Sequence, residues 1–184
     1  MPPPVTEDNQ PVPQKNQATP VELAALFMDA ACRPSAAEES ALSQLAEFLD
    51  IDLSGMLAEL MFLRAFSVDF AIQITLSEGG PEKEAILTHY YQHWEMVGKE
   101  ADVDIEADLR ERLQYYLEAT QSPEGAGSGL TEQVGLAFAT RLVGGGGGGD
   151  GLDDLAMLGG SMFAALFDEL TRLLEEVEIV TLEP

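Results

Sequence analysis

The segment 53–76 is apolar almost without interruption, and it limits what this chain can fold into more than any other feature. At about 1.5 Å per residue, a helix of this length could span a bilayer. However, the segment contains Glu59, Arg64 and Asp69, which would be costly inside a membrane, and no basic flank is present to set a topology. We therefore predict a mostly buried helix, over about 52–78, at the centre of a soluble protein.

The three charged side chains within this segment, Glu59, Arg64 and Asp69, are spaced five residues apart. On a helix they project in different directions and cannot form one cluster. Each must reach the surface, pair with another helix or face a cavity, because burying an unpaired charge costs several kcal/mol. We therefore expect these residues to be buried polar groups or to line a pocket, with pairing to neighbouring helices as the default role.

Helix start signals follow one another closely along the chain. Thr19 supplies an N-cap hydroxyl, Pro20 suits the first helical position, and Glu22 completes a capping box, which Ser35 and Glu38 repeat. These signals and the glycine and proline breaks predict helices over about 20–32, 35–49, 52–78, 81–97, 104–120 and 130–143, and a last helix from about 153. Apart from the short segment 179–182, no strand pattern is present. The sequence therefore predicts an all-α, single-domain bundle of about six to seven helices around the central apolar helix.

Two segments of biased composition set the limits of the predicted domain. Residues 1–18 hold five prolines and hardly any apolar side chain, which is typical of a disordered tail. A single all-α domain is then expected over 19–184. Six consecutive glycines, Gly144 to Gly149, are typical of a flexible linker. We predict a glycine-rich hinge over 144–151 before the last helix.

The chain is strongly acidic, with 33 Asp and Glu residues against nine Lys and Arg and a net charge of −24. Such a surface repels phosphate groups and anionic lipids, so we expect neither nucleic acid nor a membrane as a partner. The apolar fraction of 46% is that of a globular protein, which argues against global disorder. The charge therefore indicates a solvated acidic surface or a surface that binds a basic protein.

Cysteine usage bears on the compartment. Cys32 is the only cysteine, so no intramolecular disulfide can form, which fits a reducing environment. The first residues show neither a basic stretch nor an apolar stretch of the secretory type. We therefore expect a cytoplasmic protein with an inert thiol.

One pair of residues has the spacing of a metal site. His89 and His93 lie four residues apart, so on a helix both face the same side and could ligate a transition metal, with Asp69 or Glu118 completing the site. The zinc-protease motif is excluded, because Tyr90 stands where a glutamate must follow the first histidine. His93 also falls within an apolar stripe, so packing inside the bundle is the alternative role of this pair.

Aromatic residues cluster in the fourth and fifth predicted helices. Tyr90, Trp94 and Tyr116 are candidates for lining a pocket or a partner groove. The alternative is that they pack the two helices against each other.

The sequence contains no recognisable catalytic set and implies no cofactor besides the metal considered above. Three classes of function stay open. The first is a non-enzymatic interaction or regulatory module that binds a protein partner, in particular a basic one, or associates with itself. The second is a metal or small-ligand binder that uses His89 and His93. The third is an enzyme with a carboxylate in a cleft against the central helix. The third class requires Glu59 or Asp69 to line a solvent-reachable cavity with a raised pKa.

Overall fold

The computed structural model describes residues 16–77, 79–121, 129–144 and 150–180. Over these ranges the chain forms a bundle of seven helices and one pair of short strands, and the prediction of an all-α bundle is confirmed. The helices are α1 (Pro20–Cys32), α2 (Ala36–Leu49), α3 (Leu53–Thr75), α4 (Pro81–Ala101), α5 (Ile105–Thr120), α6 (Leu130–Val143) and α7 (Asp150–Glu176). The strands are β1 (Asn16–Ala18) and β2 (Val177–Ile179).

Local side-chain chemistry sets the first three helix starts. The Thr19 hydroxyl accepts a hydrogen bond from the backbone N–H of Glu22, whose carboxylate accepts the Thr19 N–H in return. Ser35 and Glu38 form the same capping box at α2. Asp52 caps α3 by accepting from a backbone N–H of its first turn. These caps satisfy backbone donors that a helix leaves unpaired at its start.

Helix α3 is the centre of the bundle and contacts each of the other six helices. Residues 62–68 are all buried, so no side of α3 faces solvent along this stretch. One core cluster joins α3 to α1, α4 and the second half of α7, and a second joins it to α2, α5, α6 and the first half of α7. The apolar segment that dominated the sequence therefore supplies side chains to both halves of the core.

Helices α6 and α7 approach each other through glycine. A Cβ atom at Gly135 would overlap the backbone carbonyl of Ala156, and one at Gly160 would lie 2.6 Å from the backbone oxygen of Thr131. Neither contact leaves room for a methyl group. The two backbones therefore pack directly against each other, and this contact fixes the position of α7.

Two predicted helix ends are wrong. Gly98 does not stop α4, which continues to Ala101 and ends at Asp102 in the left-handed conformation. Gly98 is buried, and a Cβ there would lie 2.7 Å from Cγ2 of Ile105, so glycine is needed for the close turn into α5. Helix α3 ends at Thr75 rather than at 78.

The predicted hinge over 144–151 also needs correction. Gly144 ends α6 with a positive φ of 66°, and α7 begins at Asp150 rather than near 153. The last two residues of the predicted hinge, Asp150 and Gly151, are therefore part of α7. Gly151 packs against the side chain of Leu49. Residues 145–149 lie outside the described residues.

The prediction of a disordered tail over 1–18 is wrong for its last three residues. Residues 16–18 form β1, which pairs in parallel with β2 at the other end of the chain. Gln17 also donates a side-chain hydrogen bond of 2.9 Å to Glu178. This pairing joins residues about 160 positions apart, so no local pattern could indicate it. The prolines of the tail lie within residues 1–15, outside the described residues.

Candidate functional site

A groove with a volume of about 920 Å³ runs between α3, α4 and α5. Helix α5 contributes one continuous face to it over residues 106–121, with a helical spacing of three or four positions. At about 1.5 Å per residue this face is about 22 Å long. The groove-lining residues of the face are Glu106, Leu109, Arg110, Leu113, Gln114, Leu117, Thr120 and Gln121.

The opposite wall of the groove is formed by α3 and includes two aromatic residues, Phe66 and Phe70, for which we call it the aromatic wall. Phe66 and Phe70 stack with ring centroids 5.3 Å apart, and Phe66 also stacks on Tyr116 at 5.4 Å. Three large side chains of the lining are solvent-exposed, Ile74 at 52%, Leu117 at 37% and Tyr91 at 37%. Together they give the groove apolar surface that a ligand could bury.

Asp69 is the charged residue of the aromatic wall. Its Oδ1 accepts a hydrogen bond of 2.6 Å from the Tyr91 hydroxyl of α4. Burial raises the pKa of the Asp69 carboxyl, while the hydrogen bond from Tyr91, the nearby Gln73 side chain and the charge of Lys83 lower it in part. Burial and the neighbouring Asp69 charge also raise the pKa of Tyr91, so the phenol stays protonated and remains a donor.

The other charged groups of the groove are paired at its edge. Glu106 and Arg110 form an exposed ion pair of 2.6 Å, and Glu95 pairs with Lys99 at the same distance. Pairs of this kind contribute little to stability because water screens them. Among the described residues, Asp69 takes part in no ion pair. It is therefore the groove carboxylate for which the protein supplies no directly bonded cation.

The structure places the three predicted aromatic candidates in different environments. Trp94 and Tyr90 are both fully buried, but Trp94 lies directly beneath the groove surface, whereas the Tyr90 hydroxyl lies deeper, 3.5 Å from the backbone oxygen of Ala65. The Trp94 indole N–H lies near the Tyr90 hydroxyl but makes no hydrogen bond of normal geometry. Tyr116 is buried on the far side of Phe66 and donates to Glu59. Of the three, only Trp94 is part of the groove lining.

Glu59 belongs to a buried polar network away from the groove. Its carboxylate accepts one hydrogen bond of 2.9 Å from Arg112 Nε and one of 2.7 Å from the Tyr116 hydroxyl. The Arg112 guanidinium also lies over the ring of Phe62, 5.4 Å from its centroid. A second cavity of about 840 Å³ adjoins this network, but both charges are already paired. The network therefore ties α3 to α5.

Arg64 joins three helices at the middle of α3. Its Nε donates to the backbone oxygen of Ala30 at 2.8 Å, its Nη2 donates to that of Arg33 at 3.2 Å, and its Nη1 pairs with Glu38. The two backbone oxygens belong to the end of α1, where helix carbonyls lack partners. Arg64 therefore has a structural role.

The histidine pair does not line the groove. His89 Nδ1 lies 3.2 Å from Gln92 Oε1, and His93 is half-buried on the same helix. Over the ranges that the structure describes, no three His, Cys, Asp or Glu side chains lie together as potential metal ligands. Asp69 and Glu118 thus do not complete a site with this pair, and the metal role of His89 and His93 stays a prediction.

The Cys32 thiol is half-buried, and burial together with the nearby Asp29 charge raises its pKa. A raised thiol pKa disfavours the nucleophilic thiolate, in line with the inert role expected from the sequence.

Comparisons with protein-family models, curated proteins and solved structures give no match to this chain. None of the helices in the described ranges combines the length and apolar character that crossing a bilayer requires. The cytoplasmic location stays a prediction. Function must therefore be argued from the groove itself.

Proposed function

We propose that this protein is a non-enzymatic interaction module that binds an amphipathic helix of a basic protein partner in the groove between α3, α4 and α5. The observation that carries the proposal is the uninterrupted groove face of α5. Helix-in-groove recognition uses an apolar face laid along a groove of this kind. The face is about 22 Å long, which corresponds to about 15 residues of a partner helix.

The composition of the groove supports a partner with an apolar face. The exposed side chains of Ile74 and Leu117 and the half-buried ring of Phe70 offer apolar surface that is only partly covered by the protein itself, whereas Phe66 is buried beneath them. Burying apolar surface contributes about 25 cal/mol per Å². A partner helix that covers these side chains would therefore gain binding energy from the hydrophobic effect.

The charge of the protein supports a basic partner rather than a second copy. The groove lining holds Asp69, Glu95 and Glu106 against Arg110, and the whole chain carries a net charge of −24. Two copies would repel each other, whereas a basic helix would be attracted by the same field. We therefore choose a different, basic protein over self-association as the partner.

The enzyme hypothesis meets one of its conditions, because Asp69 lines the groove and has a raised pKa. The group that bonds Asp69 in the described structure is the Tyr91 hydroxyl. Burial and the Asp69 charge raise the pKa of this phenol, so it does not exchange its proton readily near neutral pH and is a poor acid–base partner for Asp69. We therefore rank binding above catalysis for this groove.

A selection experiment tests the proposed function. A displayed library of helical peptides, about 15 residues long, is selected on the immobilised protein, and enriched peptides are synthesised with a fluorescent label. Affinities are then measured by fluorescence anisotropy for the wild type and two variants. Leu117→Asp places a charge in the groove, and Leu136→Asp places the same charge on an exposed site of α6 outside the groove lining.

We expect Leu117→Asp to weaken binding of the enriched peptides at least about tenfold, since it puts a charge where apolar surface should be buried. The Leu136 side chain is 52% exposed, so the affinity of Leu136→Asp for the peptides should be within about twofold of the wild-type affinity. Circular dichroism verifies that both variants fold. The proposal is refuted if no peptide is enriched, or if both variants change the affinity equally.

A further inference from the structure

Asp69 differs from the other carboxylates of the groove in its surroundings. Glu95 and Glu106 stand at the exposed edge and are each paired with a cation of the same helix. Asp69 lies on the same wall of the groove as Phe66 and Phe70, without an ion pair in the described structure. A charge in such a position costs solvation energy that no directly bonded cation offsets.

A side chain of α4 holds the Asp69 carboxylate in place. The Tyr91 hydroxyl donates to Oδ1 at 2.6 Å, and the Gln73 side chain lies close enough to lower the pKa of the carboxyl. A carboxylate has about four acceptor sites, so these contacts leave acceptor capacity. Asp69 is thus held in place while it can still accept from a group that enters the groove.

The nearest cations do not satisfy Asp69. Lys83 is close enough to lower its pKa, but its ammonium group donates to the backbone oxygen of Gln73 at 3.4 Å. Arg110, the cation of the groove lining, is paired with Glu106. An anionic ligand would be repelled by the groove carboxylates, and a neutral ligand would leave the Asp69 charge uncompensated.

We propose that Asp69 is the specificity-determining residue of the groove and pairs with one ammonium or guanidinium group on the apolar face of the bound helix. This inference rests on the proposed function. A cation from the partner would offset the solvation cost of Asp69 and add a charge-assisted hydrogen bond. The single cation would also set the register of the helix in the groove, because its position along the peptide must match Asp69.

Parallel selections test this inference with the peptide library described above. The library is selected separately on the wild type, on Asp69→Asn and on Asp168→Asn. Asparagine at 69 keeps an oxygen that accepts the Tyr91 hydrogen bond and removes the charge. Asp168→Asn makes the same change at an exposed site of α7 outside the groove lining.

We expect peptides from the wild type and from Asp168→Asn to carry Lys or Arg at one fixed position of the apolar face. Peptides from Asp69→Asn should carry a neutral residue there. For a synthetic wild-type binder, replacing that cation with norleucine should weaken binding to the wild type about tenfold and to Asp69→Asn less than about twofold. Because both peptides are compared on the same protein, a change in protein stability cannot produce this difference.

Two outcomes overturn the inference in distinguishable ways. In the first outcome, the peptides need Leu117 but show no fixed cation, or they still prefer the cation when selected on Asp69→Asn. The groove is then still a binding site, but the proposed role of Asp69 is refuted. Failure to enrich any peptide on any of the three proteins refutes the proposed function, and the inference with it.

Discussion

The contact between Arg64 and the turn from α1 to α2 predicts one of the largest stability effects in this protein. The Arg64 side chain is only 9% exposed and that of Glu38 only 16%, so water screens their interaction weakly. Arg64→Ala would leave the Glu38 carboxylate and the backbone oxygens of Ala30 and Arg33 without this donor. Removing one partner of a buried charge pair costs about 3–5 kcal/mol.

A loss of this size is a large part of the total stability, which is about 5–15 kcal/mol for a typical domain. Glu38 increases the effect, because its other carboxylate oxygen accepts the Ser35 N–H in the capping box of α2. The substitution therefore affects the end of α1 and the start of α2 together.

Urea unfolding followed by far-UV circular dichroism measures the change in the free energy of unfolding. Arg33→Ala is the matched control, since the Arg33 side chain is 79% exposed and its ion pair in the described structure is with Asp29 of α1. The control should change stability by at most about 0.5 kcal/mol. If Arg64→Ala costs less than about 1 kcal/mol, or no more than Arg33→Ala, the reasoning about this buried contact is refuted.

Three further predictions concern other parts of the bundle. Gly135→Ala should destabilise the protein by more than about 2 kcal/mol in urea unfolding, because its Cβ would overlap the carbonyl of Ala156, and a change below about 0.5 kcal/mol would contradict this packing. Arg112→Ala should lower the free energy of unfolding by about 3–5 kcal/mol, because it leaves Glu59 unpaired. The double variant Arg112→Ala, Glu59→Gln should recover part of that loss, and no recovery would argue against the pair. For Asp69 the raised pKa means that the folded state holds the proton more tightly than the unfolded state, whose pKa is near 3.8. Wild-type stability should therefore fall relative to Asp69→Asn as pH rises from below 3.8 through the folded-state pKa, and a constant difference in parallel urea titrations would contradict the assignment.

Helix starts could be predicted from the sequence because their chemistry is local. Thr19 and Ser35 each find their capping partner three residues along the chain, so the pattern and the structure coincide. The central position of α3 was also predictable, since a helix that is apolar on all sides must be buried. These features depend on neighbouring residues or on composition, and both are visible in the sequence.

The end of α4 and the strand β1 were mispredicted because they depend on tertiary contacts. Gly98 breaks helices by intrinsic propensity, yet its buried packing against Ile105 keeps it helical. The strand at 16–18 exists through its pairing with β2 at the other end of the described chain.

The groove could not be predicted from the sequence for a related reason. Leu109 and Leu117 follow the same apolar spacing on α5, but Leu109 is buried while Leu117 is exposed. The way in which α4 and α5 cross decides which of these two side chains is covered by another helix. The contact of Asp69 with Tyr91 spans 22 positions and depends on the same packing, although an aspartate in an apolar helix did indicate that it needed a partner.

The most direct measurement of the central claim uses the single tryptophan of the chain. Trp94 is fully buried directly beneath the groove lining, so its indole N–H gives one signal in a ¹H–¹⁵N correlation spectrum that a ligand packed on the lining would shift through its effect on local packing. On titration with a basic helical peptide selected as above, we predict a saturable shift of this signal in the wild type and in Leu136→Asp, and in Leu117→Asp a midpoint at a peptide concentration at least about tenfold higher. Saturation binding that leaves the Trp94 signal unchanged in the wild type would contradict the account, because the peptide would then bind outside the groove.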